Sequence, residues 1–161
     1  MSVTLAGIGY DSHRLVEGER LILGGVEIPH ELGLQGHSDA DVLTHAVIDA
    51  LLGAAGMGDI GELFPDTDER HAGADSIGLL QSVLRRLDEA GFTLVNVDCT
   101  VLMERPRLLA HRDAIRRRLA DTLGLPRERV NVKATTGEGI GFVGREEGVA
   151  ALATASLQQG S

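Results

Sequence analysis

The chain has 161 residues, a length suited to one compact domain spanning 1–161, and 43% of them are hydrophobic while only 2% are aromatic. Its formal net charge is −9; neutralising a phosphate backbone needs clustered cations, so sequence-independent nucleic-acid binding is excluded. The single cysteine, Cys99, lies in an apolar alternating run, which leaves neither a disulfide framework nor a thiolate metal site.

With so few rings, the core must come from Val, Leu, Ile and Ala, and burial against a second subunit is favoured. The opening residues lack the charged start and apolar run of a signal peptide. No stretch approaches the roughly 20 apolar residues of a membrane helix, so a cytoplasmic protein is expected.

In chain order, residues 3–10 read as a strand. Residues 21–28 form another, interrupted by Gly24 and Gly25, which suggests a tight turn or bulge. A helix is predicted over 39–55, with Ser38 as N-cap and Leu43, Val47, Ala50, Leu51 and Ala54 at helical spacing. Residues 56–73 are long, irregular and rich in Gly and Asp, a combination typical of functional loops. A second helix covers 76–90 and ends at Gly91. Residues 92–104 alternate as a strand with Val95, Val97, Cys99 and Val101 on one face. A third helix follows Pro106 and runs to Leu123, where Gly124 stops it. Strands are predicted over 129–135 and 149–157. The mixed order implies an α+β fold, an α/β sandwich with helices on one face of a mixed sheet. The helix-free face would then need a neighbouring subunit.

Several segments carry chemistry. Asp11 and His13, two residues apart on extended chain, point to the same side and can share a divalent metal, or else form a surface hydrogen-bonded turn. Asp41, His45 and Asp49 follow at i, i+4 spacing, as one polar stripe on an apolar helix. His45 there could be a third ligand, and an Asp-His-His set leaves a fourth tetrahedral position open; the plain alternative is a solvated helix face. His37 and Ser38 precede this helix, whose free amides attract anions, although Ser38 can also be only a cap. The 58–68 loop mixes glycines with acceptors that suit sugar hydroxyls, and Ile60, Leu63 and Phe64 make it too apolar merely to solvate itself. The run 133–145 leaves a strand into a glycine-rich turn, where small hydroxyl residues and free amides suit a diphosphate. Glu138 in it could hold Mg²⁺. Lys133, the only lysine, is expected to pair with a carboxylate.

These segments together resemble the 2-C-methyl-D-erythritol 2,4-cyclodiphosphate synthase family of the non-mevalonate isoprenoid pathway. The resemblance is carried by Gly9-Tyr10-Asp11-Ser12-His13, by His37-Ser38-Asp39-Ala40-Asp41-Val42, and by residues 49–68 and 130–145, nearly the whole chain. It implies a homotrimer with sheets packed around the trimer axis and active sites between subunits. Zn²⁺ would be held by Asp11, His13 and His45, and Mg²⁺ (or Mn²⁺) by Glu138. His37 and Thr136 would stabilise the transition state. Asp11 and His13 would also face the substrate, and His37 and Ser38 its phosphate. Asp59, Ile60 and Gly61 would meet the ribose and methylerythritol, and Phe64, Pro65, Asp66, Thr67 and Asp68 would belong to a covering loop. Met103, Glu104, Arg105, Pro106, Arg107, Leu108 and Leu109 would line a cytidine pocket. Thr135, Thr136, Gly137 and Glu138 would contact the diphosphate, and Phe142 and Arg145 would complete the site.

The resemblance implies a cytidine diphosphate sugar-alcohol substrate whose 2-phosphate attacks the β-phosphorus, expelling CMP in a phosphorus–oxygen lyase reaction. The chain departs from the family pattern at Tyr10 and Ser12, where Phe and Val are common, at Arg105 and Arg107, and at Gly137, where a Thr is common. A zinc-dependent phosphohydrolase and a non-catalytic nucleotide-binding module stand as alternatives.

Overall fold

The computed structural model describes residues 1–160. A five-stranded mixed sheet has the order β4-β1-β7-β5-β6, formed by β1 (Val3–Glu17), β4 (Leu32–Gln35), β5 (Phe92–Leu102), β6 (Val130–Thr135) and β7 (Gly148–Gln159). All its pairings are antiparallel except β5 with β6. β2 (Leu21–Leu23) and β3 (Val26–Ile28) form a separate hairpin, and Gly24 and Gly25 make its turn with φ of 58° and 75°. The helices are α1 (Val42–Ala55), α2 (Ile60–Leu63), α3 (Ser76–Glu89), α4 (Arg112–Leu123) and α5 (Gly141–Gly144).

Period-two patterning decides which face of the sheet is covered. Val149, Ala151, Ala153, Ala155 and Leu157 of β7 are buried, as are Val97, Cys99 and Val101 of β5 and Val130 and Val132 of β6. They meet α1, α3 and α4. The opposite face carries Ile8, Tyr10 and Leu152, which are 70%, 52% and 39% exposed. The expected fold class therefore holds, with helices on one face only.

Helix α1 is buried almost all round, and two glycines of β1 explain how closely it lies on the sheet. A Cβ at Gly7 would fall 2.0 Å from the Ala50 carbonyl oxygen, and one at Gly9 would fall 1.9 Å from that of Ala46. No larger residue fits while the helix stays where it is. Cys99 is a plain core residue; burial pushes its thiol up to about 12, and Sγ lies 3.2 Å from the Asn131 carbonyl oxygen.

Several sequence expectations change. β1 runs on to Glu17, so Asp11 and His13 lie within the strand and not after it. β4 was not anticipated. The N-cap of α1 is Asp41, not Ser38, and the helix begins at Val42. Asp41 is fully buried, accepting from the Gly24, Gly25 and Thr44 amides and the Thr44 hydroxyl, so it belongs to no solvated stripe. Residues 56–73 contain α2 and a 3₁₀ turn at Glu69–His71. A bulge between Leu94 and Asn96 resets the alternation of β5, so Phe92 and Leu94 join the core in place of Val95. The third helix starts only at Arg112.

Candidate active site

Asp11 and His13 share the inward parity of β1, and His45 stands one turn into α1, directly above them. Asp11 Oδ2 lies 2.8 Å from His13 Nε2 and 3.1 Å from His45 Nδ1, and the two ring nitrogens are 3.3 Å apart. Ligands on a tetrahedral Zn²⁺ at about 2.0–2.1 Å lie about 3.3 Å from one another. One carboxylate and two imidazoles at this spacing are a hard-to-borderline donor set, and they fit a divalent metal.

The electrostatics agree with a charged cluster. Burial alone would raise the Asp11 carboxyl, but hydrogen bonds from His13 and His45 outweigh it and hold the group at about 2. Burial likewise opposes the charged form of His13, yet the hydrogen bond to Asp11 leaves its pKa raised. The carboxylate is therefore ionised at neutral pH, as a metal ligand must be.

The triad opens into a cavity of about 320 Å³, lined also by Gly36, His37, Ser38, Ile60, Gly61, Phe64, Asp66, His71 and Leu79. Asp49, on α1, accepts from the Ile60 amide at 2.8 Å and so fixes α2 at the mouth. Asp59 caps α2 through the Glu62 amide at 2.9 Å and does not line the cavity. The Asp68 carbonyl lies 3.2 Å from His37 Nε2, while its carboxylate, held at about 2 by Arg70, pairs with that arginine at 2.6 Å. Pro65 and Thr67 lie in the same covering segment but off the cavity wall.

A second hollow, of about 340 Å³, shares no residue with the first. Met103, Glu104, Pro106, Arg107, Leu108, Leu109, Thr135, Thr136 and Glu138 line it, together with Ala134 and Arg112. Glu104 ties its two walls, accepting from the Gly137 amide at 2.8 Å and the Gly139 amide at 3.2 Å. Those two amides are therefore engaged in the chain as it stands, contrary to the expectation that the turn offers them free. Gly137 is compelled by packing, since a Cβ there would fall 2.5 Å from the Gly144 nitrogen. Arg105 turns away to Glu146 and Glu31. Phe142 lies in a third hollow beside Ser12, His13 and Arg14, and Arg145 pairs with Glu147 at 3.3 Å. Lys133 pairs with Asp98 at 2.8 Å, as expected.

A model of the YgbB family matches residues 4–158. The chain belongs to the YgbB family. Among its YgbB relatives is the 2-C-methyl-D-erythritol 2,4-cyclodiphosphate synthase of Salinibacter ruber, 62% identical over 152 residues that cover 94% of this chain and 97% of the relative. A 2C-methyl-D-erythritol-2,4-cyclodiphosphate synthase solved in a CDP-bound form is 40% identical, with a TM-score of 0.88 over 94% of this chain and 99% of that one. The bifunctional IspDF of Campylobacter jejuni is 44% identical, with a TM-score of 0.95, and here the chain spans 44% of the larger protein.

Within this YgbB chain, the structure brings Asp11, His13, His37, Ser38 and His45 together and keeps Thr136 and Glu138 apart from them. Sequence reasoning missed His71, whose ring packs edge-on against Phe64 with centroids 5.3 Å apart. It also missed Leu79, Arg112 and Ser76, the last fully buried against His45. A histidine in an acidic loop was the only available signal for His71.

Proposed function

We propose that this chain, as one domain over 1–161, converts 4-diphosphocytidyl-2-C-methyl-D-erythritol 2-phosphate into 2-C-methyl-D-erythritol 2,4-cyclodiphosphate and CMP. The observation that carries this reading is the Asp11–His13–His45 cluster, open to a cavity shared with His37 and Ser38, in a YgbB chain so similar to named synthases. The 2-phosphate oxygen forms a bond to the β-phosphorus while the bond from that phosphorus to the bridging oxygen breaks, and CMP departs with the bridging oxygen. No protein nucleophile takes part.

Asp11, His13 and His45 would hold Zn²⁺ and Glu138 would hold Mg²⁺ or Mn²⁺; when bound, such cations screen the repulsion between the phosphates and template them. The chain's own residues position and donate. His37 Nε2 donates to the Asp68 carbonyl, which holds the ring at the cavity wall beside Ser38, where a substrate phosphate would lie. The Thr136 hydroxyl accepts from the Glu138 amide at 3.2 Å and donates only over a long 3.5 Å to the Glu138 carboxylate, a weak bond it can exchange for oxygen charge developing in the attack. Ile60, Gly61 and Phe64 wall off water, and intramolecular attack in a fixed pose supplies much of the rate. The 103–109 hollow would take the cytidine.

Because the two hollows share no residue, a homotrimer with sites at subunit boundaries is part of this reading, supported by the exposed Ile8, Tyr10 and Leu152 on the helix-free face. Light scattering is expected to give a trimer mass; a concentration-independent monomer would defeat the shared site. No helix of the described residues is long and apolar enough to cross a membrane, and the cytoplasm is the proposed compartment.

Phosphorus NMR of the reaction is the test. A cyclic diphosphate appearing with CMP is expected, whereas free phosphate would make the chain a hydrolase. His45→Ala is expected to abolish zinc retention and also to lower thermal stability, because this residue is 8% exposed and its hydrogen bond to Ser76 is buried.

A further inference from the structure

The two histidines of the triad are held from behind in different ways. His13 Nδ1 lies 3.0 Å from the Gln35 carbonyl oxygen. A carbonyl only accepts, so Nδ1 carries a hydrogen, and Nε2, which faces Asp11 at 2.8 Å, is the nitrogen a metal would take. His45 has no carbonyl behind it. Its Nε2 lies 2.8 Å from the Ser76 hydroxyl oxygen and 3.2 Å from that of Ser38.

A hydroxyl can donate or accept, so a serine alone fixes no tautomer. Asp39 removes the choice. The Ser76 hydroxyl donates to Asp39 Oδ1, and the Ser76 amide donates to Asp39 Oδ2 at 3.0 Å. With its one hydrogen committed to a carboxylate, the Ser76 oxygen can only accept, and what it accepts is the Nε2 hydrogen of His45. Nδ1 is then the nitrogen turned toward Asp11, 3.1 Å away, and His13, 3.3 Å away, and the one a metal would take. Ser76 is fully buried, so no water substitutes for its hydroxyl. Asp39 is itself pinned, because Oδ1 also accepts from the Asp41 amide and its own amide donates to Ala74. The relay thus joins the start of α3 to the entry of α1 through one serine.

We propose that Asp39 and Ser76 are a positioning pair that sets the His45 tautomer and thereby tunes the affinity of the Asp11–His13–His45 site for a divalent metal. The inference rests on the metal reading of the triad. Orienting partners behind a ligand imidazole commonly contribute about 10–100-fold to metal affinity.

The first test needs no variant. Histidine ring nitrogen NMR of the metal-free full chain is expected to show a hydrogen on His45 Nε2; an Nε2 without one overturns the pair. Zinc affinity, measured by competition with a chromophoric chelator, is expected to fall about 10–100-fold in Ser76→Ala and by a comparable factor in Asp39→Asn. The double variant should be no weaker than Ser76→Ala alone, because both act through one hydroxyl. Unchanged affinity in Ser76→Ala, or losses that multiply in the double variant, overturns the proposal while leaving the metal reading intact. A parent chain that holds no zinc defeats the metal reading itself.

Discussion

The Asp11–His13–His45 cluster sits on a strand and a helix pressed into backbone contact, and residues of the 36–38 and 60–71 segments close the rest of its cavity. The hollow between residues 103–109 and 134–138 is instead shaped by two turns that a single carboxylate, Glu104, ties together. His45 and Ser76 are buried, whereas Arg107, Leu109, Thr135 and Glu138 are exposed. The first region is preorganised by packing, so its chemistry is sensitive to changes far from any ligand atom. The second has a shape that hydrogen bonds hold and that a partner surface or substrate can still adjust.

The sharpest way to break this contrast is Gly9→Ala. A methyl 1.9 Å from the Ala46 carbonyl oxygen forces α1 off the sheet and carries His45 away from Asp11. The expected result is a loss of about 3 kcal/mol or more in urea unfolding and near-complete loss of zinc in metal analysis. Normal zinc content would show that close packing does not place the ligand.

Glu138→Gln comes next, on the other side of the comparison. It keeps size and hydrogen bonding but removes the charge proposed to recruit magnesium. Turnover should drop about 10²–10³-fold, with zinc content and melting temperature unchanged. Normal activity with unaltered magnesium dependence would remove Glu138 from the ligand set.

A smaller effect is expected from Glu104→Ala, which frees the Gly137 and Gly139 amides and loosens the hollow. KM for the cytidine substrate should rise about 10-fold while zinc affinity stays fixed; a fall in zinc affinity would mean that the two regions are coupled within one chain.

The mildest prediction concerns acid. The Asp11 carboxyl is depressed from its ordinary 3.8 to about 2 in the folded chain. Its stabilising contribution is therefore complete above about pH 4 and is lost as pH falls through 2. In metal-stripped protein, the urea midpoint should fall over that window, and Asp11→Asn should flatten the decline. An equally steep decline in the variant would assign acid sensitivity elsewhere.

What the sequence disclosed follows the same division. Asp11 and His13 were legible because strand parity alone puts them on one side, and His45 because helical spacing aims it along a single face. β7 was legible from its period-two alanines. Ser38 was misread as the N-cap because the decisive bonds of Asp41 run to Gly24 and Gly25, whose turn lies 16–17 residues upstream. Glu104 could not be read as a tie, since its partners lie 33 and 35 residues ahead. Ser76 was invisible, and His71 only faintly marked, for a related reason: only the packed chain brings them to His45 and Phe64. Local periodicity writes the ligands into the sequence, while long-range hydrogen bonds write their supports.

The order β4-β1-β7-β5-β6 places the strand made last in the middle of the sheet. Val3 pairs with Gln159, and β5 flanks β7 on its other side. Until residues 148–159 arrive, the sheet can exist only as two strips, β4 with β1 and β5 with β6, separated by a gap of about 10 Å. The apolar helix α1 then rests on half a floor. At about 5–20 residues per second the ribosome exposes this unfinished surface for several seconds, and pairing strands as far apart in sequence as β1 and β7 is slow in itself. During synthesis, Asp11, His13 and His45 are thus made well before the strand that completes the sheet under α1, and the triad is locked in place only when β7 closes it.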